Sequence, residues 1–324
     1  MRLSVVFATR ANDSALPHVG RILWCLAHQT FQDFEVIVVC DRRFREAEYE
    51  DFYEVLCSLL DSERQESILQ KTTFCTNLNS DFSPSSLWDS NGSRVRNFGI
   101  QQADTELIQL FDEDNWFDEE YLEKAISYHD QQKKQCSEEV VICSSLYYRD
   151  TGEIQNQGFS KFCYWQSRPM VHYLEGQRCG EIQMFSGNGL LWNTEIFKSV
   201  LYDEQIARIM EDLDFTLSLC EKWVKLFTYA DLIVKHYERD KTKLELSWIG
   251  FEWQAYQKAR NRFLFVGKHG KSWDRIAFYC VGLPGCMVWL SMKAILYGGR
   301  GRWKIVRGLM RGCREGWKIL GKSG

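Results

Sequence analysis

The first part of the chain alternates compact apolar runs with amphipathic or mixed stretches. Residues 3–8, 34–40 and 106–111 are short runs rich in β-branched and aromatic side chains, which is typical of buried strands. Residues 18–29 place apolar side chains on one helical face, and residues 91–103 are typical of another helix. Strands that alternate with helices predict an α/β fold with a doubly wound, mostly parallel sheet flanked by helices.

Each of these predicted strands is followed by a polar residue. Thr9, Asp41 and Asp112 come directly after or at the end of their apolar runs. The carboxyl ends of strands in an open α/β sheet form the crevice where ligands bind, so a nucleotide site is expected there. The chain has neither a G-x-G-x-x-G fingerprint nor a Walker A loop, which disfavours a dinucleotide fold and a P-loop.

An acidic triplet, Asp112-Glu113-Asp114, ends the third of these strands. Closely spaced carboxylates repel one another and are stabilised by a cation. Mg²⁺ or Mn²⁺ is the natural choice, because such hard cations prefer oxygen ligands and bridge to phosphate. The alternative is an acidic turn before a helix, since three more acids follow at residues 118–120.

Charge is distributed unevenly over the 324 residues. The formal net charge is −4, yet from Lys258 onward there are 15 Lys and Arg against 2 Asp and Glu, and the preceding residues hold 25 against 42. The acidic body makes nucleic acid an unfavourable partner for a catalytic domain. The basic end favours either nucleic acid or an anionic membrane, and its apolar content has to distinguish the two.

The 12 cysteines follow no metal-binding or redox spacing, and no C-x-x-C pair occurs. Several lie in apolar runs, where a free thiol behaves as a small hydrophobic group. The apolar run at the amino terminus is too short for the core of a signal peptide. A reducing, cytoplasmic location is expected.

Several sequence blocks resemble the family 2 glycosyltransferases, which have the GT-A fold. The blocks are QTFQDFEVIVVCD at 29–41, RNFGIQQADTELIQLFDED at 96–114, GNGLLWNTEIFKSV at 187–200, MEDLDFTLSL at 210–219 and LIVKHYE at 232–238. The resemblance covers about 260 residues. The chain departs from the commonest pattern at Phe7-Ala8-Thr9, where a proline usually precedes the threonine, and at Cys40-Asp41-Arg42, where a second aspartate is usual.

The resemblance implies roles for the donor-binding residues. Asp41 would bind the base or ribose, and Thr9, Asn91 and Arg96 would lie along the nucleotide. Asp112 and Asp114, which fit the family's DXD motif, would hold the metal that bridges the diphosphate, with Glu113 beside the donor. His236 would complete the metal shell or contact the diphosphate, although a lone histidine is more often structural.

Glu211-Asp212 resembles the family's ED motif, which supplies the catalytic base of inverting enzymes. Asp212 is predicted to deprotonate the acceptor hydroxyl, with Glu211 supporting it or contacting the acceptor. The alternative is a pair of first-turn acids on a helix at 213–223, which the helix dipole favours. Both roles can coexist.

Residues 144–189 are predicted to shape the acceptor pocket. Aromatic faces suit sugar rings, and Trp165 and Trp192 are the candidate acceptor contacts. The competing interpretation, ordinary packing, is the more common fate of any one aromatic residue.

The carboxyl-terminal region combines apolar and basic stretches. A basic helix is predicted at 257–269, followed by a mostly apolar run at 276–297 and a basic, tryptophan-containing tail at 300–322. The apolar run is long enough to span a bilayer, but its proline, glycines and lysine equally favour an interfacial or re-entrant element. Tryptophan and cations on an amphipathic helix favour an anionic membrane surface, and packing onto the catalytic domain is the alternative.

These observations predict a GT-A domain at 1–256, with a nucleotide-sugar half at 1–115 and an acceptor half at 116–256, followed by a membrane-associating extension at 257–324. By the resemblance, the enzyme is an inverting hexosyltransferase at the cytoplasmic face of the cell membrane. Its substrates would be a nucleotide-sugar donor and a lipid-linked or cell-surface glycan acceptor of lipopolysaccharide, capsule or exopolysaccharide biosynthesis. The rivals are a sugar-nucleotide pyrophosphorylase and a non-catalytic membrane-associated scaffold with the same fold.

Overall fold

A computed structural model describes residues 1–12, 15–41, 46–58, 63–76, 91–186, 188–236, 252–297 and 299–320. Parts of several predicted segments, including residues 42, 187, 237–238 and 321–322, lie outside these ranges. The strands are β1 Leu3–Thr9, β2 Phe34–Cys40, β3 Thr72–Thr76, β4 Leu107–Asp112, β5 Asn115–Phe117, β6 Val140–Tyr148, β7 Ile154–Asn156, β8 Phe159–Cys163, β9 Arg168–Val171, β10 Cys179–Ile182, β11 Leu190–Asn193 and β12 Lys225–His236.

The helices enclose this sheet and then continue as a carboxyl-terminal layer. They are α1 Leu16–Ala27, α2 Glu46–Ser58, α3 Glu63–Gln70, α4 Gly92–Gln102, α5 Tyr121–Gln135, α6 Thr194–Ser199, α7 Glu211–Glu221, α8 Glu252–His269, α9 Ser272–Ala277, α10 Leu283–Tyr297 and α11 Arg302–Leu320. A π-helical segment, Phe278–Gly282, joins α9 to α10 without a break in the helix. The predicted domain boundary at 256/257 falls inside α8.

Ten strands form one sheet in the order β10-β12-β6-β11-β4-β1-β2-β3, with β5 on β12 and β7 on β6. The half built from β4, β1, β2 and β3 is parallel throughout, as the strand–helix alternation predicts. The other half is mixed, because β11 lies antiparallel between β4 and β6. The doubly wound prediction is therefore confirmed for the amino-terminal half, and the full sheet is mixed.

The core lies on both faces of the central strands. β1, β2 and β4 are almost continuously buried, which explains why their sequences are unbroken apolar runs rather than alternating ones. α1 and α4 cover the sheet, and Gly99 of α4 lies so close to Val6 and Val39 that a Cβ there would clash with both valines. This close approach holds α4, and with it Arg96, against the parallel strands.

α8 and α11 lie side by side in the carboxyl-terminal layer. Gly308, Gly312 and Gly316 of α11 face the backbone or Cβ atoms of α8, and a Cβ on any of them would collide with α8. The four-residue spacing puts the three glycines on one helical face. Leu290 and Ala294 of α10 pack onto the same pair of helices through an apolar cluster. The layer is therefore a three-helix unit with its own small core.

Candidate active site

The carboxyl ends of the parallel strands meet at one edge of the sheet. Ala8 pairs with Asp112 across β1 and β4, and Thr9 pairs with Cys40 across β1 and β2. A cleft of about 340 Å³ opens at this edge. Seven of the predicted site residues line it: Thr9, Asp41, Arg96, Asp112, Glu113, Asp114 and Glu211.

The acidic triplet occupies the turn between β4 and β5. The side chain of the fully buried Asn115 accepts a hydrogen bond from the Asp112 backbone N–H at 2.9 Å, which fixes the turn. Glu113 Oε2 accepts a hydrogen bond from the Arg10 backbone N–H at 3.3 Å. Burial raises the pKa of Glu113, although hydrogen bonding from Thr9 opposes the shift. The triplet is therefore held in a defined shape before any ligand binds.

Asp114 and His236 meet where β5 pairs with β12. His236 Nε2 lies 3.1 Å from Asp114 Oδ2, and the other carboxylate oxygen, Oδ1, is buried with no hydrogen-bond partner. An unsatisfied buried carboxylate oxygen is costly unless a ligand or ion completes it. Within the described ranges, no three His, Cys, Asp or Glu side chains converge as a metal cluster.

Arg96 links the acidic triplet to the first turn of α7. Its guanidinium lies 2.8 Å from Asp112 Oδ1, 3.7 Å from Glu211 Oε1 and 3.8 Å from Asp212 Oδ1. The Arg96 side chain, which is only 15% exposed, therefore lies close to all three carboxylates. Burial is the main cause that raises the pKa of both Glu211 and Asp212, and Arg96 opposes both shifts. The Asp212 carboxylate adds to the rise for Glu211, and the Asp112 carboxylate adds to the rise for Asp212.

The chain enters α7 through an unusual turn immediately before Glu211 and Asp212. Met210, immediately before α7, has a φ of 71°, in the left-handed region. Tyr202 lies against the same cluster, with its ring 5.5 Å from the Arg96 guanidinium. The pair therefore projects from the amino-terminal end of a helix, where the helix dipole favours negative charge.

Arg208 and Trp253 line the cleft and were not among the predicted residues. The Arg208 guanidinium lies over the Trp253 ring, 5.4 Å from its centroid. Arg208 lies three residues before Glu211 of the ED motif, so its position was a signal that could have been used. Trp253 belongs to α8 and reaches the cleft through tertiary packing, which a local sequence pattern does not predict.

Asn91 and the two predicted acceptor tryptophans take other positions. Asn91 caps α4, accepting from the Arg94 N–H and donating to the Glu204 carbonyl, and it does not line the cleft. Trp192 is 1% exposed and stacks on Phe197 inside the core, so it is a packing residue and we do not retain it as an acceptor contact. Trp165 is exposed, and its backbone lies beside Gly282 of the carboxyl-terminal layer.

Sequence comparison supports the resemblance in part of the chain. Residues 88–201 match the family model described as "Glycosyl transferase family 2". EpsH of Bacillus subtilis (strain 168), a protein named as a glycosyltransferase, is 29% identical over 97 residues, which is 30% of this chain and 26% of EpsH. The chain thus matches about a quarter of the length of that relative.

Solved structures with the same fold extend over nearly the whole chain. TarS 1–349 of S. aureus, solved in complex with UDP-GlcNAc, is 13% identical with a TM-score of 0.50, covering 98% of this chain and 92% of TarS 1–349. GalNAc-T7, solved with UDP, GalNAc and Mn²⁺, is 13% identical with a TM-score of 0.60, covering 86% of this chain and 50% of GalNAc-T7. The predicted α/β fold and the family 2 glycosyltransferase resemblance are confirmed.

Proposed function

We propose that the chain is a family 2 glycosyltransferase that moves a hexose from a nucleotide diphosphate donor to a membrane-borne glycan acceptor by a single inverting displacement. The observation that carries the proposal is the edge cleft, where Asp112, Glu211 and Asp212 gather around Arg96 beside Asp114. Three carboxylates gather around the Arg96 guanidinium, and the side chains of Glu211 and Asp212 are largely buried. Among the described residues this leaves a local excess of negative charge, which fits a site that receives a positively charged or proton-donating partner.

The donor diphosphate is proposed to lie along the ends of β1, β2 and β4. Thr9 and Asp41 are buried at this edge, in position to bind the nucleoside, and Arg96 supplies a cation for the diphosphate. TarS 1–349 has been solved in complex with UDP and with UDP-GlcNAc, so a uridine diphosphate sugar is the first donor to test. The likeness of fold supports the choice of donor class but not of one sugar.

The residues present fit a divalent cation. The partnerless Asp114 Oδ1 and the nearby Asp112 carboxylate are hard oxygen donors, with His236 beside them. Mg²⁺ is typically held by one or two carboxylates together with substrate phosphates, so a cluster of three protein ligands is not required. When bound, such an ion would offset the charge that develops on the leaving diphosphate.

Asp212 is proposed to act as the catalytic base. Its buried Oδ1 has no hydrogen-bond partner and lies 3.8 Å from the Arg96 guanidinium, which leaves it available to accept a proton from an acceptor hydroxyl. A pKa raised by burial makes the carboxylate a stronger base than a solvated aspartate. Glu211 lines the cleft next to it and would orient the acceptor.

A lipid-linked or cell-surface glycan is the proposed acceptor, in assembly of lipopolysaccharide, capsule or exopolysaccharide at the cytoplasmic face of the membrane. The support is the apolar and basic carboxyl-terminal layer, which packs directly against the catalytic domain through α8. EpsH is named as a glycosyltransferase, but the match covers only 26% of its length. The proposed acceptor class therefore rests on the carboxyl-terminal layer and on the resemblance to family 2 glycosyltransferases.

Donor binding tests the proposal. A panel of nucleotide sugars is added to the full chain with Mn²⁺ or with EDTA, and the melting temperature is followed. One donor should raise the melting temperature only with metal, because binding to the folded state stabilises it by mass action. Asp114→Ala should abolish the shift, and Asp118→Ala, at an exposed acid just after β5, should keep it.

Two outcomes would favour the rivals. No donor-dependent shift, with or without metal, would favour the non-catalytic scaffold. Conversion of a sugar nucleotide and added inorganic diphosphate into a nucleoside triphosphate and a sugar 1-phosphate, without transfer of the sugar to an acceptor, would instead favour a pyrophosphorylase.

A further inference from the structure

The carboxyl-terminal layer presents a continuous apolar surface to the outside. Ser272–Tyr297 is the one helix in the described ranges that is long and apolar enough to cross a membrane, and only 17% of its apolar window is buried. Every exposed residue between 276 and 297 is uncharged. The largest are Ile276, Val281, Val288, Trp289, Met292 and Leu296, all at least half exposed. An apolar patch of this kind marks an interaction surface.

α11 continues this surface with a different composition. Trp303, Met310 and Trp317 are exposed at seven-residue intervals, opposite the glycine face that packs on α8. Exposed cations flank this stripe: Arg302, Lys304, Arg307, Arg311, Arg314 and Lys318. A helix with aromatic side chains and cations on its free face fits the boundary between anionic headgroups and acyl chains.

The packing of α10 distinguishes a helix that lies on a membrane from one that crosses it. Leu290 and Ala294, in the carboxyl-terminal half of the apolar segment, share one buried cluster with Ala255 and Ala259 of α8 and Ile305 and Leu309 of α11. If α10 crossed a bilayer, this contact would put α8 and α11 at the same depth. The cations of α11 would then face hydrocarbon, at about 2.5–3.5 kcal/mol each by membrane-insertion scales.

α8 also ties the layer to the catalytic domain along its own length. Asn261 Nδ2 donates to the carbonyls of Ala207 and Ile209, and Arg260 donates to the carbonyl of Gln205. His269, at the end of α8, lies 2.8 Å from Asp214 of α7. A helix held to a soluble domain in this way keeps its neighbours at the surface of that domain.

We infer that α9, α10 and α11 form one docking surface that lies in the plane of an anionic lipid bilayer and does not cross it. The apolar face of α10 enters the acyl boundary, and the α11 cations meet the lipid phosphates. The inference deepens the proposed function, since it would place the cleft at a membrane that holds the acceptor.

Vesicle binding by the full chain tests the surface. The protein should partition onto vesicles that contain phosphatidylglycerol and much less onto pure phosphatidylcholine. Arg307→Gln/Arg314→Gln should weaken this binding on the order of 25-fold, since each cation near the surface contributes about fivefold. Trp289→Ser should weaken it on the order of tenfold, through loss of buried apolar area.

Matched controls use exposed residues elsewhere. Lys134→Gln and Trp223→Ser remove a cation and a tryptophan outside the layer and should bind vesicles as the parent protein does. Melting temperatures of all variants show that they remain folded. Equal binding to both vesicle types, or to neither, would overturn the docking surface.

Membranes from cells that express the full chain separate the two modes. An in-plane surface predicts release of the protein by high salt and alkaline carbonate. Retention until detergent is added would overturn the in-plane arrangement. Vesicle binding needs no donor, so loss of donor binding with intact vesicle binding counts against the proposed function alone, and the reverse counts against the docking surface alone.

Discussion

Helix α7 carries two groups of acidic side chains that are held very differently. Glu211 and Asp212 lie 3.7 and 3.8 Å from the Arg96 guanidinium, which also pairs with Asp112. Asp214 and Glu221 instead meet two side chains of α8, Lys268 and His269, and Lys268 also pairs with Asp203. Among the described residues, the first group thus shares one guanidinium at longer distances, and the second is held by short contacts to α8.

The second group is built as a structural clamp. Asp214, 1% exposed, accepts from Lys268 Nζ at 2.8 Å and lies 2.8 Å from His269 Nε2, while His269 Nδ1 lies 2.9 Å from Glu221 Oε1. The two ring nitrogens of His269 contact one carboxylate each, and Lys268 binds the other oxygen of Asp214. This clamp fixes α7 to α8.

The comparison separates two reasons for burying an acid. Paired charges with good geometry hold elements together, whereas unmatched ones raise the free energy of the folded state and persist where a ligand or a proton transfer uses them. Asp214 belongs to the first kind and Asp212 to the second, although only one residue lies between them. The predictions below test this division.

Asp212→Asn should have the largest effect and lower the rate of sugar transfer by about 10²–10⁴-fold, because an amide cannot act as a base toward the acceptor hydroxyl. The melting temperature should not fall, since a surplus charge has been removed. Transfer is measured with the donor identified by thermal shift. Asp104→Asn, at a highly exposed acid, is the control and should transfer at the parent rate.

Unchanged transfer by Asp212→Asn would remove Asp212 from the mechanism. A large fall in its stability would show that it belongs to a balanced cluster like that of Asp214.

Asp214→Asn should have its main effect on stability. Removing one partner from a buried pair leaves charges uncompensated and costs about 3–5 kcal/mol in the free energy of unfolding. Urea unfolding measures this. Glu221→Gln is the matched control: its side chain is 49% exposed and the amide oxygen still accepts from His269, so its cost should be below about 1 kcal/mol. Equal costs for the two variants would contradict the clamp.

The sequence alone could not predict that Asp212 and Asp214 have different roles. The apolar runs predicted β1, β2 and β4 to within about one residue, because fully buried parallel strands have continuous apolar sequences. Since such strands end at a common edge, Thr9, Asp41 and Asp112 could be predicted to meet. Asp214 and Asp212 look alike in sequence, and only the approach of α8, more than 30 residues later, tells them apart.

The carboxyl-terminal layer shows the same limit. Its apolar and basic composition predicted a membrane association, but the contact between α10 and the α8–α11 pair depends on long-range packing. The Gly308, Gly312 and Gly316 spacing was a readable signal for close helix packing that the sequence interpretation did not use. Trp192 misled for the opposite reason, since aromatic composition does not reveal which ring is buried.

The last prediction is a change in how stability depends on pH. Burial raises the pKa of Glu211 and Asp212 in the folded state above their ordinary values of 4.5 and 3.8. At any pH between the unfolded-state pKa and the folded-state pKa of these groups, the folded chain therefore binds more protons than the unfolded chain. Stability should therefore fall as pH rises through this window, by about 1.4 kcal/mol per unit of pKa difference. Glu211→Gln should flatten this fall, as measured by urea unfolding at a series of pH values. Acids with a lowered pKa, such as Asp130, act in the opposite direction, but they do so equally in the parent protein and in the Glu211→Gln variant. The difference between the stability–pH curves of the parent and the variant therefore isolates Glu211. Parallel curves would mean that the first-turn acids are as well compensated as Asp214.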